Sequence, residues 1–417
     1  MNAQEQGAFG VRIAELRRSK GLTQTELAAA TGRTASWVSQ VERGVQPVNR
    51  LDVLRLLADG LDVPLAALRP DAPGSCSAPG EPADTVPVAH NDLDRARLVI
   101  SGHPALDVLM DSAAVTGDRS ALPELRDRAE RTWQLVHAGH LAEAGESLAL
   151  LVPELERFAR MARAGEQAEA FRLLARAYQA ASAAFARQGE ADAAWVAADR
   201  AVRAAESGGD ALGVGAAVFR LVHAFVRLRR LDQAEHAAET AVRALARSDQ
   251  GGKASAELLS VLGSLRLALA LVHARAGERA AAREQITEAR AVARRLGEER
   301  NDYNLEFGPV NAEVQAVSTA VDLGDAGEAL DLAAGLDVES LSTERRVRLL
   351  VDIGRAHAQR RRTGEALEAL LGAEELGPDI VRNHPAARAV IRDLVLMAGR
   401  GAPPELRTLA ERADALG

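Results

Sequence analysis

Apolar residues recur at intervals of three and four positions over most of this 417-residue chain, a spacing that predicts amphipathic helices almost throughout. Five short helical patterns lie between Phe9 and Leu68. Gly21 predicts the stop of the first helix, and Thr23 with Glu26 three positions later predicts a capping box that begins the second. We therefore expect an all-α fold that opens with a compact five-helix domain.

The second and third of these patterns lie close together in the sequence. Gly32 is predicted to close the second helix and permit a tight turn, and Thr34 is the predicted N-cap of the third helix. Val38 and Val41 are predicted to face inward, and Gly44 to end that helix. Two helices joined by a short turn form the unit that reads the major groove of DNA.

A composition shift follows this domain. Residues 70–90 hold five prolines together with glycine, serine and alanine, and show no helical periodicity. Proline removes backbone donors and glycine adds backbone freedom, so this composition predicts a flexible linker. We predict a head at residues 1–69, a linker at residues 70–90 and a helical body at residues 91–417.

The body is repetitive. Short turns recur with similar sequences, such as AGHLAEA, AGERAAA and RRTGEA, each ending in an alanine that opens a helical pattern. Small or aliphatic residues follow each of these alanines four and seven positions later, which predicts one helix face that packs closely on the preceding helix. The six anchoring positions are Ala144, Ala194, Ala234, Ala282, Ala329 and Ala366.

This body resembles the tetratricopeptide-repeat family. The best-matching unit has Leu350, Ile353, Gly354 and His357 on its first helix, followed by Ala366, Leu370, Ala373 and Pro378. The family's usual aromatic residues are missing, and successive anchors lie 50, 40, 48, 47 and 37 residues apart, longer than the usual repeat. The resemblance implies a tetratricopeptide-like α-solenoid; a generic solenoid or bundle of alanine-rich hairpins is the alternative.

Charge separates the head from the body. The chain carries a formal charge of −8, but residues 8–69 hold nine Lys/Arg against six Asp/Glu, which leaves −11 for the remainder. A mildly basic head on an acidic body fits a head that meets phosphate. Cys76 is the only cysteine, so an intrachain disulfide is excluded and a reducing compartment is expected. We expect no signal peptide, no segment able to span a bilayer, and a cytoplasmic, nucleoid-associated protein.

The stretch LTQTELAAATGRTASWVSQVERG closely resembles the phage-repressor-like helix-turn-helix regulators, also called the xenobiotic response element family. The resemblance spans about sixty residues, and the combination with a long repeat body looks most like an actinobacterial group. In this family the third helix lies in the groove. The DNA-contacting set that the resemblance implies is Gln24, Arg33, Thr34, Ala35, Ser36, Trp37, Ser39, Gln40, Arg43 and Arg50.

These residues suit their implied roles. Gln24 matches a phosphate-contacting position at a helix N-terminus. Gln40 can pair with adenine through its amide, the two serines can bond to several bases, and Ala35 can touch a thymine methyl. The three arginines are placed to neutralise phosphates. Trp37 is unusual for the family, and it either packs on the sugar-phosphate edge or covers the core of its own domain.

One segment of the body, residues 300–317, breaks the repeat rhythm and concentrates amides and aromatics. Amides can donate and accept hydrogen bonds on a peptide backbone, and aromatic rings supply rigid contact area. We hypothesise a ligand site lined by Asn304, Phe307, Asn311 and Gln315. The alternative is a long inter-helix turn in which Gly308 and Pro309 start a helix and the asparagines cap it.

Nothing in the sequence indicates catalysis, a cofactor or a metal. No phosphate-binding loop, zinc-protease motif or nucleophile elbow occurs, and the histidines of the repeat helices lack a ligand partner four positions on. We therefore expect a transcriptional regulator, a homodimer on an inverted-repeat DNA site, controlled by a peptide, small molecule or protein bound to the body. Two alternatives are a scaffold whose body recruits a partner while the head only localises it, and a body that only dimerises.

Overall fold

The computed structural model describes residues 3–31, 35–44, 48, 51–61, 63, 65–68, 93–102, 121–249, 254–338 and 341–415. The chain divides into two compact units, Met1–Val86 with Ala387–Gly417, and Pro87–Ala386. Throughout these described ranges the regular structure is helical, with one isolated antiparallel bridge between Arg300 and Phe307. The all-α expectation is confirmed, whereas the predicted linker, residues 70–90, lies outside the described residues.

The head contains the five predicted helical elements. They are α1 (Ala3–Ser19), α2 (Gln24–Ala30), α3 (Ala35–Glu42), α4 (Leu51–Leu61) and a 3₁₀ turn (Leu65–Leu68). Ile13, Leu27 and Val38 are completely buried and belong to one hydrophobic cluster. Helix α1 begins well before the predicted start near Phe9, and its Val11 is 56% exposed rather than part of that core.

The remaining helices follow in chain order. They are α5 (Asp94–Ser101), α6 (Ala121–Ala138), α7 (Leu141–Met161), α8 (Ala164–Gln188), α9 (Ala191–Ser207), α10 (Ala211–Arg227), α11 (Leu231–Ser248), α12 (Ala256–Ala276), α13 (Arg279–Leu296), α14 (Pro309–Asp322), α15 (Ala326–Ala334), α16 (Thr343–Gln359), α17 (Thr363–Leu376), α18 (Pro378–Asn383), α19 (Pro385–Ala398) and α20 (Pro404–Arg412). Alanine and leucine dominate these helices because neither side chain loses much rotamer freedom there.

The six predicted anchor alanines share one structural position. Each is the fourth residue of its helix, in α7, α9, α11, α13, α15 and α17, and each has no exposed surface. A residue with positive φ stands five positions before every anchor, and it is glycine in four repeats but Arg229 (φ 58°) and Arg361 (φ 58°) in the other two. The repeat register read from the sequence is therefore confirmed at the level of backbone geometry.

The helices from α6 to α17 form two layers. Each helix packs against the next one in the chain, and each of α6, α8, α10, α12 and α14 also packs against the helix two further on. These first helices of the hairpins form an inner layer, and the anchor helices form an outer layer, which is a solenoid-like arrangement. Helix α16 also contacts α6, so the last hairpin of the row meets the first.

One helix corrects an expectation about membranes. Helix α12 is long and apolar enough to cross a bilayer by length and composition, although no such segment was expected. In the structure, 78% of its most apolar window is buried inside the body. A core helix surrounded by other helices needs the same apolar character on all sides, so burial accounts for its composition.

Candidate nucleic-acid interface

Helices α2 and α3 are positioned by the core of the head. Val38 and Val41 on α3 are buried, as predicted, and pack with Leu27 of α2. Gly44 ends α3 with φ 71°, and its amide donates to the carbonyl of Val41 at 3.0 Å, which is the predicted C-terminal stop. The buried face of α3 is therefore fixed, and the opposite face is directed away from the core.

A second prediction concerns the start of α2. The Thr23 amide donates to Glu26 at 2.7 Å, and the Glu26 amide donates back to the Thr23 hydroxyl at 3.2 Å. The Thr23 amide and the Thr23 hydroxyl, which donates to the same carboxylate at 2.8 Å, lower the pKa of Glu26. The predicted capping box is thus confirmed, and it makes Gln24 the first residue of α2.

An ion pair buried beneath these helices was not predicted. Arg17 of α1 donates to both carboxylate oxygens of Glu42, at 2.5 and 3.1 Å, and also to the carbonyl of Leu22 at 2.7 Å. Gln24 donates its side-chain amide to the same carboxylate at 2.7 Å. Glu42, at the end of α3, therefore forms hydrogen bonds with both the end of α1 and the start of α2.

Arg17 and Glu42 each stabilise the ionised form of the other. Burial alone would raise the pKa of Glu42, but hydrogen bonds from Arg17 and Gln24 and the nearby charge of Arg18 lower it. The hydrogen bond to Glu42 raises the pKa of Arg17 despite its burial. Both groups are ionised at neutral pH, and the orientation of α3 relative to α1 and α2 depends on their pairing.

The outward face of α3 carries polar residues. Ser39 and Gln40 are half-buried and Arg43 is exposed, and their spacing places them on the side opposite Val38 and Val41. Arg43 donates to the carbonyl of Ser39 at 3.2 Å. Amide, hydroxyl and guanidinium groups presented together on one helix face can bond to base edges and phosphates.

The other residues predicted to contact DNA lie in different environments. Ala35 and Trp37 are half-buried against the head core, which fits the second of the two interpretations given for Trp37, while its contact with DNA stays a prediction. Gln24 has its side chain engaged by Glu42, while its backbone lies at the N-terminus of α2. Arg33, Thr34 and Arg50, with the side chain of Ser36, lie outside the described residues.

Gly10 is a positioning residue that the sequence pattern did not reveal. A Cβ added at Gly10 would lie 2.5 Å from the carbonyl oxygens of both Val41 and Glu42. Helix α1 therefore approaches the backbone at the end of α3 as closely as only glycine permits.

Replacing Gly10 with alanine is expected to destabilise the head by about 1–3 kcal/mol, because two backbone carbonyls cannot rotate away from the added methyl group. Hydrogen exchange of the α1 and α3 amides in the full chain measures this change. Gly165→Ala is the matched control, since nothing lies within 4 Å of its added Cβ. Equal exchange in the two variants would contradict the close approach.

The hypothesised ligand residues of the body lie in different environments. Phe307 has no exposed surface and packs in the body core, and Asn311 is 3% exposed. Asn304 and Gln315 are half-buried. The four residues thus offer little common surface in this structure, and the ligand site proposed for them stays a prediction.

The turn before α14 agrees in most respects with the alternative interpretation of this segment, a long turn between two helices. Helix α14 begins at Pro309 directly after Gly308, as that alternative predicts. The first amides are capped by Glu299, whose carboxylate accepts from Val310 at 2.6 Å, rather than by an asparagine. Tyr303, Asn304 and Glu306 all have positive φ, between 51° and 58°, so this turn is strained as well as long.

One cluster of possible metal ligands occurs among the described residues. One ligand atom from each of Glu235, His273 and Glu278 lies within 4.8 Å of the others. His273 and Glu278 already form a hydrogen bond of 2.7 Å. This arrangement, which the sequence spacing did not suggest, is accounted for by that hydrogen bond.

Comparison with known proteins identifies the head alone. Residues 8–71 match the family model described as "Helix-turn-helix domain". No curated protein matches the chain. The matched range contains α2 and α3 with the buried face, the capping box and the outward polar face described above. The N-terminal part of this chain is therefore a helix-turn-helix domain of the DNA-binding type, which indicates a DNA-binding regulator.

Proposed function

We propose that this protein is a sequence-specific transcriptional regulator that reads DNA with helix α3. The observation that carries the proposal is the outward face of α3, where Ser39, Gln40 and Arg43 stand opposite a buried apolar face. The head's match to a helix-turn-helix model supports it. Ser39 and Gln40 would contact base edges, while Arg43, with Arg33 and Arg50, would neutralise phosphates.

The protein is proposed to act as a homodimer. Paired helix-turn-helix heads bind half-sites about 34 Å apart or a multiple of that distance, so the DNA site would be an inverted repeat. The body would supply the dimer contact and belong to the tetratricopeptide type, a view supported by its repeating anchor alanines. Its role would be regulatory rather than catalytic, in the cytoplasm at the nucleoid.

Control by a ligand is the second part of the proposal. Superhelical repeat arrays bind their ligands on the inner face, and the inner layer here is formed by the first helices of each hairpin. A ligand that prefers one arrangement of the body would change the fraction of protein that is competent to bind DNA. A peptide, a small molecule or a protein segment would each satisfy this scheme.

The direct test is selection of bound sequences from random duplexes with the purified full chain. We expect one enriched inverted repeat, and a variant with Ser39→Ala and Gln40→Ala that discriminates against mismatched sites about tenfold to a hundredfold less well. Ser19→Ala is the control, because that hydroxyl is exposed and bonds only to the carbonyl of Leu16.

The same experiment separates the alternatives. Unchanged selectivity in the Ser39 and Gln40 variant would overturn the reading role of α3. Enrichment that depends on added cell extract would instead support a scaffold whose body recruits a partner. Arg43 would be assigned to phosphate contact if Arg43→Ala makes DNA affinity less dependent on salt concentration and leaves the preferred sequence unchanged.

A further inference from the structure

Arginines converge on the inner layer of the body from three helices that are distant in sequence. Arg187 lies at the end of α8, Arg220 and Arg227 lie seven residues apart on α10, and Arg345 and Arg348 lie on the first turns of α16. We call these five residues the arginine cluster. The hydrogen-bonded ion pair of Arg187 with Glu344, 157 residues later, brings α8 and α16 together.

A cleft opens at this cluster. Its lining includes three arginines, two carboxylates and a histidine, namely Arg187, Arg227, Arg348, Glu344, Asp379 and His384, and its cavity volume is about 20 Å³ beside a mouth that is open to solvent. Its walls also include the turn before α7 and the short helix α18. A cavity of this size holds about one water molecule, so only the charged group of a ligand would enter it, while the rest of the ligand would lie in the open mouth.

The cluster carries more positive charge than its own carboxylates neutralise. Arg187 and Arg348 share the carboxylate of Glu344, with Arg348 at 3.0 Å. Arg345 pairs with Glu306 at 2.8 Å. Five guanidinium groups thus have two carboxylates as paired partners among the described residues.

Several donors of the cluster have no acceptor. Arg227 forms no hydrogen bond or ion pair with any residue that the structure describes. Arg348 lines the cleft, and its Nε is buried without a hydrogen-bond partner. The Nε of Arg220 is also buried without a partner, but Arg220 does not line the cleft; it donates another nitrogen to the carbonyl of Asn304 at 2.6 Å and lies over the rings of Trp133 and Phe219. Buried donors without acceptors are rare in folded proteins, and an anion in the cleft would give the accessible guanidinium of Arg227 a charged partner.

The electrostatics agree with this geometry. Burial and the charge of Arg187 lower the pKa of Arg220 to about 9. The surrounding protein and Arg348 lower the pKa of Arg227 to about 10, although its side chain remains accessible to solvent. Arg227 is therefore a solvent-accessible cation in surroundings that oppose its charge, and an anion bound beside it would relieve that opposition.

Histidines near the cluster do not add to its charge at neutral pH. Burial and the arginines Arg348 and Arg227 lower the pKa of His384 to about 3. Burial and the nearby arginines also lower the pKa of His223 well below its usual value. The neutral rings can accept or donate single hydrogen bonds beside the guanidinium groups.

We propose that the cleft lined by Arg187, Arg227 and Arg348 binds a small anion, a ligand that carries a phosphate or carboxylate group. The inference rests on the proposed function, in which the inner layer of the body holds the ligand, and it names the chemical class of that ligand. Guanidinium groups bind both oxyanions through paired hydrogen bonds, so phosphate and carboxylate ligands share the chemistry that this site recognises.

The test is calorimetric titration of the full chain with pyrophosphate as the phosphate probe and citrate as the carboxylate probe. We expect saturable binding of one probe, weakened about tenfold or more by Arg227→Ala through loss of a charged hydrogen bond. Arg247→Ala is the matched control, since Arg247 is an exposed arginine of α11 with no hydrogen bond or ion pair to a described residue. Both probes are used at low millimolar concentration, where general salt effects on stability are small.

A second readout separates binding from a structural role. Because the surrounding protein and, to a smaller extent, the charge of Arg348 disfavour the charged form of Arg227, its replacement by alanine is expected to leave the melting temperature without ligand unchanged or higher. The rise in melting temperature that the probe causes in the parent should be lost in the same variant. A lower melting temperature without ligand would assign Arg227 to the structure instead.

Two results would overturn the inference: no binding of either probe, or equal binding by the parent and Arg227→Ala. Neither result touches DNA recognition, which the random-duplex selection measures independently. If the chain selects an inverted repeat but binds neither probe, the anion site fails and the regulator remains. If it binds a probe but selects no DNA, the anion site stands and the proposed function fails.

Discussion

Replacing Glu42 with alanine is expected to unfold the helix-turn-helix head and abolish selective DNA binding. The carboxylate of Glu42 is almost completely buried and accepts hydrogen bonds from Arg17 and Gln24. Its removal leaves the Arg17 guanidinium, which is 10% exposed, without its charged partner. Breaking a buried ion pair on one side costs about 3–5 kcal/mol, because an uncompensated charge stays inside the protein.

The head has little stability to lose. A domain of about sixty residues buries only a modest core, and its free energy of unfolding is typically no more than about 3–5 kcal/mol. The loss expected from Glu42→Ala is of the same size, so a large fraction of the heads would be unfolded. The variant is therefore expected to lose DNA binding although Glu42 itself does not lie on the outward face of α3.

Hydrogen exchange of the full chain measures this effect locally. Amides of α1 to α4 should exchange much faster in Glu42→Ala, while amides of α8 to α12 should keep their protection. Glu15→Ala is the control, because Glu15 is an exposed residue of α1 whose carboxylate lies 3.7 Å from Arg12 and contributes little. Similar exchange rates in both variants would show that the Arg17 pair does not hold the head together.

The sequence predicted the head well because its signals are local. The capping box of Thr23 and Glu26, the stops at Gly21 and Gly44 and the buried valines of α3 all lie within a few positions of one another. The contact of Gly10 with the end of α3 and the Arg17–Glu42 pair join residues from different helices. Periodicity identifies which residues are buried but not which of them meet.

In the body, too, local features could be predicted and contacts between distant helices could not. The anchor alanines could be predicted because the repeat places them at one register, and all six are buried. The arginine cluster could not, because its members come from α8, α10 and α16, and the pair of Arg187 with Glu344 joins residues 157 positions apart in the chain. Single arginines in polar helix sequences look like ordinary surface charges.

Phe307, a hypothesised ligand contact, packs in the core of the body. Aromatic residues make up only 3% of the chain, and this made Phe307 conspicuous as a ligand contact. In the structure its ring fills the space above Gly263 of α12, where any side chain would overlap it. The partner that explains Phe307 is a glycine more than forty residues earlier, which carries no pattern of its own.

Replacing Glu344 with glutamine is expected to destabilise the body by about 3 kcal/mol. Glu344 is the carboxylate that Arg187 and Arg348 share, and Arg187 is mostly buried. Glutamine preserves the size of the side chain but removes the charge that balances the two guanidinium groups. For a unit of this size the melting temperature should fall by roughly 5 °C, measured by calorimetry of the full chain.

Glu239→Gln is the matched control for this change. Glu239 is an exposed carboxylate of α11 that pairs with Arg243 four residues later at 2.9 Å. Pairs of this kind on a helix surface contribute less than about 1 kcal/mol. A fall in melting temperature as small for Glu344→Gln as for Glu239→Gln would show that the link between α8 and α16 is not stabilising.

The stability difference between the parent and Glu344→Gln should depend on pH in a direction that can be measured. Burial would raise the pKa of Glu344, but Arg187, Arg348 and Arg345 lower it from 4.5 to about 2. A carboxyl whose pKa is lower in the folded state stabilises the fold above its unfolded pKa, and this contribution is lost as the pH falls toward the folded value. The stability difference between parent and Glu344→Gln should therefore be complete at neutral pH and shrink between about pH 4.5 and pH 2.

Glu344→Gln also links stability to the proposed anion site. Glu344 competes with any bound anion for Arg187 and Arg348, so its loss raises the positive charge that faces the cleft. The variant should be less stable than the parent without ligand, yet bind pyrophosphate or citrate more tightly. Destabilisation with weaker binding would mean that Glu344 shapes the cleft, whereas tighter binding would show that it occupies the place of the ligand's own charge.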